Sequence, residues 1–137
     1  MPLKFPFEEE KSPIFGKVYR PVAPVYFWSK KIEDWVEILA IVDTGADYTL
    51  LPSHMARALG IDLQKDCQEF ETTGVGGTET VYLLRSWKVK LGDWEKNIPL
   101  GFLDSDTVPP LLGRQEFLED FKVLFENHEV SFSESKK

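Results

Sequence analysis

The stretch ILAIVDTGADYTLLP, residues 38–52, ends a run of branched apolar side chains on a carboxylate, Asp43, followed at once by a hydroxyl residue, Thr44, and a glycine, Gly45. Desolvation disfavours the charged form of an acid at the mouth of an apolar strand, so such a group is expected to be hydrogen-bonded, to share a proton or to be functional. Thr44 can hold a hydroxyl beside the carboxylate, and Gly45 lets the backbone turn closely enough for amide N–H groups to orient it. The chemistry open to a positioned acid is proton transfer. Hydrolysis by carboxylates alone needs two of them about 3 Å apart sharing one proton, one activating water while the other protonates or polarises the carbonyl. The chain carries a single Asp-Thr-Gly. Asp104 and Asp106, in LDSDTVPP, lack the glycine and lead into prolines, so a dyad requires a second Asp43 across the axis of a C2 dimer.

The elements around this run can be read from pattern. At 137 residues the chain fits one domain. Residues 1–13, with EEEK and three prolines, read as a flexible arm, 14–133 as the folded domain and 134–137 as a frayed tail. Pro21 and Pro24 interrupt the β-prone run IFGKVYRPVAPVYFW and suit an edge or bulged strand. Ile38–Val42 reads as a strand covered on both faces. Pro52 suits the first turn of a short helix, PSHMARAL, with Met55 and Leu59 on one face and Gly60 as its stop. Gly74-Val75-Gly76-Gly77 reads as the tip of a projecting hairpin. Trp87, Val89 and Leu91 alternate with polar residues, turn at Gly92-Asp93 and are answered by Ile98, Leu100 and Phe102. PPLLGRQEFLEDF predicts a short strand and a helical turn or two, and FKVLFENHEVSF a last hairpin turning at Asn127-His128.

Composition narrows the function classes. With 16 Lys+Arg against 23 Asp+Glu the net charge is −7, and without a visible basic cluster nucleic acid is not an expected partner. His54 and His128 lack metal-ligand spacing and read as surface or packing residues, so no metal or cofactor is expected. Cys67, the single cysteine, cannot form an internal disulfide and reads as an inert thiol. The segment MPLKFPFEEEKSP has acids and prolines where a secretory signal needs an apolar run, and Ile38–Val42 is too short to span a bilayer. The expectation is a cytoplasmic protein that does not engage a membrane. Trp28, Trp35, Trp87 and Trp94 read as core or dimer contacts.

VDTGAD, the glycine-rich GVGG and LLGR, in this order and spacing, resemble the retropepsins, the dimeric aspartic proteases of retroviruses and their cellular relatives, over residues 18–121. The resemblance implies a mainly β, closed β-barrel-like acid-protease fold with one or two short helices. It implies that Asp43 is the catalytic acid and base of each subunit, that Thr44 links the two active-site loops, and that Gly45 offers its carbonyl to substrate. Val75 would cover the bound peptide, with Gly74, Gly76 and Gly77 permitting flap motion. Asp47 would contact the substrate backbone, Arg114 would pair with Asp47 inside the subunit, and Arg20 of YRPV would reach the partner's Asp47. A purely structural ion pair is an equal reading for Asp47 and Arg114. Val108, Pro109 and Leu111 would line pockets for apolar substrate residues. SKKIEDW lengthens the connection before the catalytic strand, and the helix PSHMARALG and the C-terminal hairpin stand nearer the cellular and bacterial relatives, which leaves the dimer interface open. The implied activity is endopeptidase cleavage by a water held between two Asp43 carboxylates in a homodimer. Two alternatives stand beside it: a non-proteolytic peptide-binding or dimerisation module of the same fold, and a monomeric β-barrel ligand binder.

Overall fold

The computed structural model describes residues 2–74, 77–105 and 107–135. In chain order these form β1 (Leu3–Pro6), β2 (Glu8–Ser12), β3 (Gly16–Arg20), β4 (Val22–Ser29), β5 (Asp34–Val42), β6 (Thr49–Pro52), α1 (Met55–Ala58) and α2 (Leu63–Asp66). There follow β7 (Gln68–Gly74), β8 (Gly77–Leu91), β9 (Trp94–Leu103), β10 (Leu111–Leu112), a 3-10 turn (Leu118–Asp120), β11 (Phe121–Glu126) and β12 (Glu129–Glu134).

The main sheet runs β4-β5-β10-β6-β9-β8-β7, and β4 pairs back onto β8 through Tyr26↔Lys90 and Phe27↔Val89. That pairing closes the wall into a barrel and leaves the β7–β8 hairpin as an extension. Side chains alternate across each strand, so Phe27, Leu51, Leu91, Ile98, Leu100, Phe102 and Leu112 point inward and are fully buried. Each such side chain contributes about 1.5–3 kcal/mol of burial free energy. β5 follows the same rule. Ile38, Ala40 and Val42 are buried but Leu39 is 45% exposed, which corrects the expectation of a strand covered on both faces: a barrel wall has one inner face.

Residues 3–12 are strands rather than a loose arm. β1 pairs antiparallel with β12, Leu3 opposite Phe132 and Phe5 opposite Val130, because Leu3, Phe5 and Phe7 recur at the strand period and pack against the core. β2 and β3 form a separate two-stranded hairpin. Glu134, read as part of a frayed tail, completes β12 opposite Phe121, while residues 136 and 137 lie outside the described residues. Pro24 lies within β4 but ahead of the two residues that pair with β8, and there its missing N–H interrupts no second ladder.

Pro52 ends β6 opposite Leu103 and does not open the helix, which begins at Met55. Gly60 then stops it with φ +73; a Cβ there would come 2.8 Å from the Lys31 nitrogen. α2 is unforeseen, although Asp62 caps it by accepting from the Gln64 and Lys65 amides and Asp66 returns a bond to the Asp62 amide. The turns at Gly92 (φ +57) and at Asn127-His128 (φ +53 and +57) occur where the sequence places them.

Candidate active site

Asp43 follows the last residue of β5, and its loop runs to Thr49 at the head of β6. Two main-chain bonds fix where the acid sits: Asp43 N donates to Leu112 O at 3.0 Å, and Val42 N to Pro21 O at 2.8 Å. The carboxylate is then oriented by Gly45 N, which donates to Asp43 Oδ1 at 3.0 Å, while Ala46 N donates to the Asp43 carbonyl at 3.1 Å and closes the turn. A Cβ on Gly45 would stand 3.3 Å from Asp43 Oδ1, so the glycine permits the approach that the amide bond needs. Asp43 is half-buried; Thr44 and Gly45 are exposed in the single chain. The result is a carboxylate held in one orientation with access to solvent.

The other side of the loop is clasped by the chain after β10. Arg114 N donates to Ala46 O at 3.0 Å and Gln115 N to Asp47 O at 2.7 Å, while Arg114 Nη2 donates to Asp47 Oδ1 at 2.6 Å. The structure therefore brings Asp47 and Arg114 together beside Asp43. Gly113 lies beneath them: its amide donates to Thr49 Oγ1 at 3.2 Å, and a Cβ there would overlap the Tyr48 carbonyl carbon at 2.2 Å. Backbone this close to backbone admits no side chain at that position.

Thr49, Tyr48 and Gly101 belong to this support and were not singled out from sequence. Thr49 is fully buried, a hydroxyl in an apolar strand whose signal is the need of any buried donor for an acceptor. A Cβ on Gly101 would lie 2.7 Å from Tyr48 Cε2, and a glycine within the alternating strand β9 is the sequence sign of such an approach. Burial raises the Tyr48 hydroxyl above the ordinary tyrosine value, and the Asp47 charge adds to the shift.

Other expected residues are distributed around this centre. Leu111 is half-buried in β10, paired with Ile41 and Leu50; Val108 is half-buried and Pro109 exposed in the segment leading to it. Gly74 and Gly77 face one another at the end of the β7–β8 hairpin, with φ +111 at Gly77; Val75 and Gly76 lie outside the described residues. Arg20 is engaged inside its own chain, its Nε donating to Glu10 Oε2 across the β2–β3 ladder. Asp104 is exposed after β9, and Asp106 lies outside the described residues. His54 occupies the N-cap position of α1 without a side-chain capping bond, and His128 sits in the β11–β12 turn with its ring stacked on Tyr19 at 4.1 Å. Burial pushes the Cys67 thiol up to about 11, with Asp66 and Asp62 adding to it, so little of it is thiolate at neutral pH. Trp94 packs against Phe117 and Phe121, whereas Trp28 and Trp35 meet edge to face beneath Lys88. Among the described residues no helix is long and apolar enough to cross a membrane, and no three His, Cys, Asp or Glu side chains gather as a metal-ligand set.

Residues 31–120, about two thirds of the chain and including the whole Asp43 loop and its clasp, match the family described as "gag-polyprotein putative aspartyl protease". The fold is shared with a retropepsin-like aspartic protease from Rickettsia conorii, with a TM-score of 0.69 at 22% identity over 93% of this chain and 97% of that one. It is also shared with the EIAV protease solved with the inhibitor HBY-793, with a TM-score of 0.53 at 21% identity over 74% and 86% of the two chains. No curated protein matches the sequence. The family match covers the loop that orients Asp43, and the solved structures share the barrel that carries it: the chain belongs to the gag-polyprotein aspartyl protease family and is an aspartic endopeptidase of the retropepsin fold.

Proposed function

We propose that the chain cleaves peptide bonds as a homodimer whose two Asp43 carboxylates share one proton on the two-fold axis. One observation carries this reading: each chain builds a single Asp-Thr-Gly loop that orients its carboxylate by an amide bond and leaves it accessible, half of what carboxylate hydrolysis requires. The ionised Asp43 takes a proton from a water lying between the two acids, and that water's oxygen attacks the peptide carbonyl carbon. The protonated Asp43 gives its proton to the carbonyl oxygen. The tetrahedral intermediate then collapses as the acid that took the water proton gives it to the amide nitrogen, which leaves as an amine, while the other carboxylate takes a proton from a gem-diol hydroxyl and leaves the dyad singly protonated. No covalent bond to the protein is formed.

In this reading Thr44 joins the two loops by reciprocal hydrogen bonds and Gly45 gives its carbonyl to the substrate. Asp47, held by Arg114, meets the substrate backbone, and the hairpin of Gly74, Val75, Gly76 and Gly77 closes over the peptide. Val108, Pro109 and Leu111 form apolar pockets, so substrates with apolar residues flanking the scissile bond are preferred. Arg20 would have to exchange its bond to Glu10 for one to the partner's Asp47 to couple the two subunits.

The test is cleavage of a diverse peptide mixture by concentrated wild type and by Asp43→Asn across acidic to neutral pH. Wild type should cleave with a bell-shaped pH dependence, since only the singly protonated pair is competent, and Asp43→Asn should be inactive while still dimerising. Equal cleavage by the two proteins, or a rate flat in pH, would refute the dyad.

A further inference from the structure

We propose that the β2–β3 hairpin is an arm that grips a second copy of this chain, seating Ile14 and Phe15 on the partner; the inference rests on the dimer reading above. Ile14 and Phe15, at the hairpin tip, are 81% and 76% exposed, and the next most exposed large apolar side chain among the described residues is Ile32 at 56%. The tip is an ordered turn: Ser12 Oγ accepts from the Ile14 and Phe15 amides at 3.2 and 3.1 Å, and Gly16 closes it with φ +76. Among the described residues no other strand pairs with β2 or β3, so the arm shares no ladder with either larger sheet. A two-stranded hairpin is marginal alone, and this one is braced by Lys17–Glu9 at 3.4 Å, by Arg20–Glu10, and by Tyr19 stacked on His128. Bracing presents two apolar side chains already ordered, which lowers the entropy lost on contact.

The position of the arm selects its partner. Pro21, the residue after β3, accepts a hydrogen bond from Val42, the residue before Asp43, so the arm leaves the barrel at the active-site loop. A shared-proton dyad places Asp43 within a few ångströms of the two-fold axis, and a five-residue ladder spans about 17 Å, so a second copy lies within reach of the tip. Within one chain β12 lies between β1 and β11, so both of its edges are taken by its own chain. Two copies of net charge −7 repel, and the arm answers this with an apolar tip beside two charge pairs, Lys17–Glu9 and Arg20–Glu10.

Sedimentation equilibrium of the full chain, with peptide cleavage measured against enzyme concentration, tests the arm. Phe15→Asp should weaken the dimer at least about tenfold, as expected for loss of an interface anchor, leaving unchanged the rate per dimer at saturating protein and the unfolding midpoint at dilutions where both proteins are monomeric. Phe15→Ala should shift the dimer constant in the same direction and keeps the test intact if the aspartate perturbs the hairpin. Leu124→Ser, at another exposed apolar site, should leave the constant unchanged. A wild type that dimerises equally well with Phe15→Asp and Phe15→Ala overturns the arm while sparing the dyad. A wild type that is monomeric at every concentration and still cleaves overturns both.

Discussion

Two neighbouring regions of this molecule are held in opposite ways. The Asp43 loop is bound from beneath and beside by other segments: Leu112, Arg114 and Gln115 share main-chain bonds with it, and Thr49 receives the Gly113 amide. The β2–β3 hairpin, rooted beside that loop, is held mainly by its own ladder, by exposed charge pairs and by one ring stack on His128. Chemistry that depends on the orientation of one carboxylate needs the first kind of support, because a small displacement of a reacting group lowers the rate steeply. A surface meant for contact needs only the second. The difference separates positions where a substitution strikes the fold from positions where it strikes only assembly.

The contrast can be broken most forcefully at Gly113. Gly113→Ala drives a Cβ into the Tyr48 backbone, and we expect a loss of about 3 kcal/mol in urea unfolding together with loss of peptide cleavage. An alanine variant of wild-type stability would mean that the clasp is soft. Thr49→Val keeps the shape of the side chain but strips the Gly113 amide of its buried acceptor; the expected cost is about 2 kcal/mol, read from the same unfolding curve. The smallest effect belongs to the arm. Lys17→Gln removes an exposed ion pair and should leave the unfolding midpoint unchanged within error; a clear drop would show that the hairpin is coupled to the barrel, and the contrast drawn above would fall.

How far sequence reaches follows the same division. The Asp43 turn, the Gly92 turn and the Asn127-His128 turn are legible because a few adjacent residues determine each of them. The tight turn at Gly92 fixes the register of β8 against β9 as far as Trp87 opposite Ile98, whereas Leu100 and Phe102 fall opposite Leu84 and Tyr82, past a bulge between Leu84 and Trp87 that the alternation alone does not reveal. What stayed hidden depends on distant partners. Leu3 and Phe5 look like an arm until Phe132 and Val130 are seen beside them, and prolines with an acidic run mask their alternation. Leu39 looks buried until the wall is seen to have an outside. Thr49 and Gly101 look ordinary until Gly113 and Tyr48 arrive from elsewhere in the chain. At Asp43 the turn was legible and the platform under it was not, since the turn is local geometry whereas the platform is a crossing of three separate segments.

The pairing of β1 with β12 also bears on how the protein is made. Synthesis proceeds from the N-terminus, so Leu3–Pro6 is made long before its partner, Glu129–Glu134. Throughout elongation an apolar strand waits with its ladder groups unpaired, and closing so long a loop is among the slow steps of β-sheet folding. The barrel strands between them can assemble earlier, each with partners nearer in the chain. The outer sheet can thus zip shut only once Glu129–Glu134 has been made, well after the strand it must meet.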